Sequence, residues 1–187
     1  FRIYTGLSFF NDLILNFLIN EKFQVAVRLD GPSEVHNHNS FYKECWNDYN
    51  DVTKKIKLLS NSVLQFEAYP VITKKSLYFY DKIINEYLKF NFKKISLEPL
   101  LPLNYSANEV TENFFTDEAF FNFYKKSIEH IIDNDLDIIE NSTQNALLTL
   151  SQIENKGLFN MVAPIKEATN MLAYDFDGFI YPSYDAF

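Results

Sequence analysis

Val27-Arg28-Leu29-Asp30-Gly31-Pro32-Ser33-Glu34-Val35-His36-Asn37-His38-Asn39 is the stretch around which the chain is organised. Gln24 to Leu29 reads as a short buried strand, and Asp30-Gly31-Pro32 stops it, because Gly permits unusual dihedrals and Pro cannot continue a ladder. A polar loop with two imidazoles is expected to follow. In parallel α/β folds ligands gather where the chain leaves the carboxyl end of a strand, so this loop is the first candidate for a site.

The flanking sequence has a βαβ rhythm. Phe1 to Thr5 alternates and is broken by Gly6; Ser8 is a plausible cap for a helix reaching Asn20, with Phe9, Leu13, Phe17 and Leu18 at helical spacing. After Phe23 to Leu29 a helix is expected over about 48–59, then a strand from Leu64 to Ile72, and a helix capped by Thr73. The fourth strand, Ile95 to Glu98, is cut off by Pro99. Strands alternating with helices of this length predict a parallel sheet. A long polar crossing from Pro99 to Asn113 leads to a helix opened by Thr116, and a further helix spans roughly Gln144 to Ile153. Met171 to Phe176, the Asp177-Gly178 turn and Phe179 to Tyr181 are expected to form a β-hairpin.

Composition narrows the function. The 187 residues are 47% hydrophobic and 17% aromatic, which fits a single packed domain rather than disorder. A net charge of −8 argues against a nucleic-acid binder, and the Lys54-Lys55-Ile56-Lys57 cluster reads as one solvated helix face. One cysteine, Cys45, excludes an internal disulfide and a cysteine-rich metal site, and points to a cytoplasmic address. No apolar run is long enough to cross a bilayer, so no membrane role is expected. The chain opens inside a strand without an initiator Met and is expected to be a piece of something longer.

Leu29-Asp30-Gly31-Pro32 followed by His36-Asn37 and Asn39 resembles the S-L-D-G-P-x-x-x-H-(D/N)-x-x-R segment of radical S-adenosylmethionine maturases with a SPASM extension. Other landmarks fall in the same order. Thr5-Gly6-Leu7 resembles the turn one βα unit earlier, Val71-Ile72-Thr73-Lys74 the turn of the next strand, and Ile95 to Leu100 the strand after that. Tyr174 to Ser183 is similar to the entry of the SPASM region, and the likeness is greatest to anaerobic sulfatase maturases and maturases of His-Xaa-Ser peptide systems.

The resemblance implies a partial (β/α) barrel, with about four parallel strands and helices outside over residues 1–157, then the start of a SPASM-like extension with the hairpin over 158–187. It implies S-adenosylmethionine and a [4Fe–4S] cluster in the intact parent, a peptide or protein substrate, and radical modification of that peptide. Here the cluster motif C-x-x-x-C-x-x-C and the G-G-E-P turn are absent, and Cys45 cannot replace three converging thiolates. The segment is therefore expected to be inactive alone, to bind no cofactor by itself, and to pair with a missing half-barrel or with itself through an open sheet edge. The alternative is a degenerate, non-catalytic paralogue that keeps the half-barrel as a peptide-binding or protein-binding module. Two departures favour it: Arg28 stands where the family commonly has Ser, and Ser40 where it commonly has Arg.

Residues at strand ends are the candidate cofactor contacts: Thr5, Arg28, Asp30, Glu67 and Glu98. Alternation sets Gln65, Glu67 and Tyr69 on one face of their strand, and Arg28 is the expected partner of Glu67. No catalytic residue and no metal ligand is assigned. Asp30, His36 and His38 lack the converging third and fourth ligands of a metal site, and Asp30 is expected to accept backbone N–H groups in its own turn. Asp175-Phe176-Asp177-Gly178 has the lettering of a phosphatase D-x-D-G strand end, but too little chain follows it, so the hairpin turn is preferred.

Overall fold

The computed structural model describes residues 1–41, 48–100, 113–156, 173–174 and 180–181. Two compact units divide the chain, Phe1–Asn145 and Ala146–Phe187.

The first unit is built on a five-stranded parallel sheet. Its strands are β1 (Arg2–Thr5), β2 (Gln24–Val27), β3 (Phe66–Ala68), β5 (Lys94–Ile95) and β7 (Ile139–Glu140), hydrogen-bonded in that order. Beyond β3 and β5 the chains part at Pro70 and rejoin as a second parallel pair, β4 (Val71–Ile72) with β6 (Glu98–Pro99). The expected strand Leu64 to Ile72 is thus two strands. Pro99, expected to end the fourth strand, lies within β6, where it stands on a two-stranded pair rather than inside the main ladder. β7 is a fifth strand that two residues of sequence pattern do not announce.

Six α-helices are present among the described residues: α1 (Asp12–Asn20), α2 (Ser33–Phe41), α3 (Tyr49–Ser60), α4 (Tyr80–Lys89), α5 (Asp117–Asp133) and α6 (Asn141–Lys156), the last running across the unit boundary. Their ends follow capping chemistry. Asn11, not Ser8, caps α1 by accepting from the Ile14 amide at 3.0 Å; Asp48 caps α3 and Thr116 caps α5 in the same way. Thr73 does not cap α4. A 3₁₀ turn, Ser76–Tyr78, intervenes, and the Thr73 amide donates to Ser76 Oγ at 3.1 Å.

The core lies on one face of the sheet. Val25, Val27 and Leu29 of β2 and its extension, Ala68 of β3, Ile95 and Leu97 pack with Ile56 and Leu59 of α3, Ile83, Ile84 and Tyr87 of α4, and Phe123 of α5. In the second unit β8 (Ala173–Tyr174) and β9 (Ile180–Tyr181) pair antiparallel. The expected Asp177-Gly178 turn, residues 101–112 of the crossing expected from Pro99 to Asn113, Ser183 and Cys45 lie outside the described residues, as does the side chain of Ser40.

Candidate functional site

Register decides which side chains share a face, because paired residues in neighbouring strands point the same way. Tyr4, Ala26 and Glu67 form one row across β1, β2 and β3. Arg2 and Gln24 share that face one step back, Arg28 and Tyr69 one step forward, and Ser96 and Asn141 continue it beyond β5 and β7. This face is opposite the helix-packed core, and it is polar and aromatic.

A hydrogen-bonded network crosses it. Glu67 pairs with Arg2 through one carboxylate oxygen, and its other oxygen accepts from Asn141 Nδ2 at 3.0 Å. The same amide donates to Ser96 Oγ at 2.8 Å. The Arg2 guanidinium lies 4.8 Å from the Tyr4 ring centroid, and Tyr4 meets Tyr69 edge-on at 4.8 Å. β1, β3 and the residues just past the ends of β3, β5 and β7 thereby contribute to one continuous surface.

Arg28 is on this face too, but its partner is not Glu67. Its Nε lies 3.1 and 3.2 Å from the two Asp30 oxygens, and Nη2 donates to Oδ2 at 3.0 Å. The reason is local: two residues along an extended chain point the same way, whereas Glu67 is held by Arg2 of β1 and by Asn141. Asp30 is fully buried and does not accept from its own turn. Its Oδ1 accepts the Val71 amide at 3.0 Å, and its own amide donates to His36 Nδ1 at 3.1 Å.

The expected polar loop after Pro32 is instead helix α2. The Val35 and His36 amides both donate to the Pro32 carbonyl, and His36 is buried against the strand end. Asn39 is buried as well; its Oδ1 accepts from Thr73 Oγ1 at 2.9 Å, and its amide reaches the Val71 carbonyl at 3.4 Å. The motif residues therefore weld the ends of β2 and β4 together. Among the described residues no three His, Cys, Asp or Glu side chains converge as a metal site.

The other candidates are placed as follows. Thr5 sits on the core side of β1, and its Oγ1 accepts the Leu7 amide at 2.9 Å in a turn where Leu7 takes φ 62°. Glu98 lies in β6, paired with Val71, and its amide donates to the Pro70 carbonyl at 3.3 Å. The sequence pattern sets Tyr69 on the face of Glu67 but does not single out Arg2, Tyr4, Ser96 or Asn141; the same alternation, extended to Arg2 and Tyr4, carries part of that signal.

Solved structures share this architecture. Native anSMEcpe with bound AdoMet, an anaerobic sulfatase-maturating enzyme of the radical S-adenosylmethionine/SPASM type, matches with a TM-score of 0.62 at 18% identity, over 74% of this chain and 38% of that one. The same fold is theirs and this chain's. The anSMEcpe structures with AdoMet and a Kp18Cys or a Cp18Cys peptide match with TM-scores of 0.63 over 39% of their length. The chain thus spans under two fifths of the anSMEcpe structures it matches. No protein-family model and no curated protein matches the sequence. No helix of the described residues is long and apolar enough to cross a membrane.

Proposed function

We propose that this chain forms the later part of a radical S-adenosylmethionine peptide-maturase barrel, its polar face serving as a contact surface for the cosubstrate and for the peptide. The observation that carries the reading is a polar face, opposite the helix-packed core, on the fold that anSMEcpe shows with AdoMet and peptide. The donor set of the face fits AdoMet. Glu67, Asn141 and Ser96 supply acceptors and donors for ribose hydroxyls, Tyr4 and Tyr69 supply ring surface for adenine, and Glu98 and Thr5 mark the neighbouring strand ends. Arg28 and Asp30 take a positioning role here, since each is engaged by the other. Bound AdoMet supplies the family's hydrogen-abstracting chemistry. A [4Fe–4S] cluster does not fit the single cysteine of this sequence, and no step is assigned to it.

On this reading residues 1–157 are barrel, 158–187 open a SPASM-like extension, and the protein works in the cytoplasm. A second reading, a non-catalytic peptide-binding module, is favoured by the Arg28–Asp30 fork, which commits the residue standing in place of the family's Ser to an internal pair. Calorimetric titration separates the two. Although the sequence alone predicts no cofactor bound to this segment by itself, the proposed face carries a binding expectation of its own: AdoMet is expected to bind the purified protein, and Glu67→Gln and Asn141→Ala each to weaken it about tenfold, the equivalent of ~1.4 kcal/mol. A wild-type protein that takes up a cysteine-bearing peptide but no AdoMet leaves the module reading standing and sinks the first.

A further inference from the structure

The amino ends of the strands hold a cavity. It measures about 440 Å³ at the foot of β2, β3 and β5, inside the ~300–1,000 Å³ of ordinary ligand pockets. Gln24, Gln65, Glu67 and Lys94 line it, and alternation puts all four on the polar face. Ser62 and Asn91, just past the ends of α3 and α4, line it too. The motif turn after β2 lies at the opposite ends of the strands, and the cavity shares only Glu67 with the network described above.

The charges at this foot do not cancel. Register sets Lys94 beside Glu67 through the Ala68–Ile95 pair, yet one Glu67 oxygen is taken by Arg2 and the other by Asn141. Lys93 is paired with Asp137 at 2.5 Å. The Lys94 ammonium, by contrast, forms no ion pair or hydrogen bond among the described residues. In a chain of net charge −8, that leaves one uncompensated cation on the cavity wall, with the Gln24 and Gln65 carboxamides as neighbouring N–H donors. An anion is what the wall lacks. The carbonyl ends of α3 and α4 lie at the same foot, and with Glu67 they oppose the dense charge of a phosphate dianion. A singly charged carboxylate fits better.

We propose that this cavity is a binding site for a carboxylate, Lys94 supplying the charge and Gln24 and Gln65 the flanking donors. A carboxylate accepts charge-assisted bonds from an ammonium and from carboxamides together, which no described neighbour does for Lys94. The site does not rest on the AdoMet reading. Its ligand has two sources, a free organic acid or an acidic residue of a bound peptide, and the chemistry at Lys94 is the same for both.

Amide cross-peaks of nitrogen-15-labelled protein, followed without AdoMet at constant ionic strength, test this. Succinate stands for the free acid, N-acetylglutamate amide for the peptide residue, and inorganic phosphate for the competing anion. At least one of the two carboxylates is expected to shift the Gln65, Asn91 and Lys94 signals saturably, and to bind more tightly than phosphate. Lys94→Gln should weaken that binding at least about tenfold and Gln65→Ala by a smaller factor, whereas Lys54→Gln, exposed on α3, should leave it within about twofold. Signals that neither carboxylate shifts overturn the proposal. So does phosphate binding more tightly than both, or an affinity that Lys94→Gln leaves unchanged. Dispersion of the variant's spectrum checks its fold, and Lys94→Arg, which keeps the charge, must restore most of the binding.

Discussion

Arg28 and Asp30 lie two residues apart and hold each other through three contacts of 3.0 to 3.2 Å, the carboxylate fully buried and the guanidinium nearly so. Deleting Arg28 strands a buried charge that keeps only backbone partners. Arg28→Ala is expected to cost about 3–5 kcal/mol in urea denaturation. Arg28→Lys should recover only part of this, because an ammonium cannot span both oxygens as a planar fork does. A loss below about 0.5 kcal/mol for Arg28→Ala, the range of ordinary surface changes, would show that the fork carries little stability.

Gly31 follows this pair at φ +122°, and a Cβ built there would stand 2.7 Å from Ile83 Cγ1. Both facts oppose any side chain: the dihedral is one that L residues rarely adopt, and α4 leaves no room. Gly31→Ala is expected to cost about 2–5 kcal/mol, strain and overpacking together. In an Ile83→Ala background the clash goes and the strain stays, so the same substitution should cost measurably less. Equal costs in the two backgrounds would mean that α4 does not constrain the turn.

The contrast between these two residues shows what was legible in the sequence. The strand, its stop at Asp30-Gly31-Pro32 and the βαβ order follow from local pattern, and the structure has them. α2 does not, because Ser33–Phe41 has almost no apolar stripe; it is held by His36 and Asn39 reaching strand ends, which are long-range contacts. The partner of Glu67 was equally hidden, since Arg2 meets it only through a register that spans three strands. β7 escapes for a third reason: its two residues cannot show a period, and its place is fixed by pairing with β5.

Three phenols with raised pKa values are expected to weaken the fold at alkaline pH. Burial first, then the nearby Asp30 and Glu86 carboxylates, pushes Tyr87 well above its usual 10.0, and its hydroxyl donates to the Leu29 carbonyl at 2.7 Å. Burial and a hydrogen bond to Glu86 raise Tyr49, and burial and Glu140 raise Tyr124. A raised pKa means that the folded state keeps a proton the unfolded chain gives up. The stabilisation is therefore complete below the unfolded value near 10 and is lost as pH climbs through the folded values. Denaturation midpoints should be flat from pH 8 to 9 with respect to these groups and fall above about pH 10, Tyr87 alone contributing a slope of up to ~1.4 kcal/mol per pH unit. Tyr87→Phe should lower stability at pH 8, where the hydrogen bond is lost, and flatten the alkaline slope. A slope unchanged by that substitution would remove Tyr87 from the account.

Glu140 joins β7, α5 and α6 at one carboxylate. It is 4% exposed; Oε2 accepts the Tyr124 hydroxyl and the Thr143 amide, the latter at 2.7 Å, and Oε1 lies 3.4 Å from the Leu97 amide. The Thr143 contact caps the first turn of α6, where free amides and the helix dipole both favour an anion. Two substitutions separate the capping function from the bond to the phenol. Tyr124→Phe removes one donor and leaves the carboxylate with its backbone amides, so about 1 kcal/mol is expected. Glu140→Ala takes the acceptor from the Thr143 and Leu97 amides and leaves the Tyr124 hydroxyl with Thr143 Oγ1, 2.8 Å away, and about 2–4 kcal/mol should be lost. Glu140→Gln keeps the size and one acceptor but loses the charge, so it should fall between the two. Hydrogen exchange at the Thr143 amide reads the cap directly: it is expected to accelerate in Glu140→Ala, to change little in Tyr124→Phe, and, if it stays slow in both, α6 is held by its packing and not by Glu140.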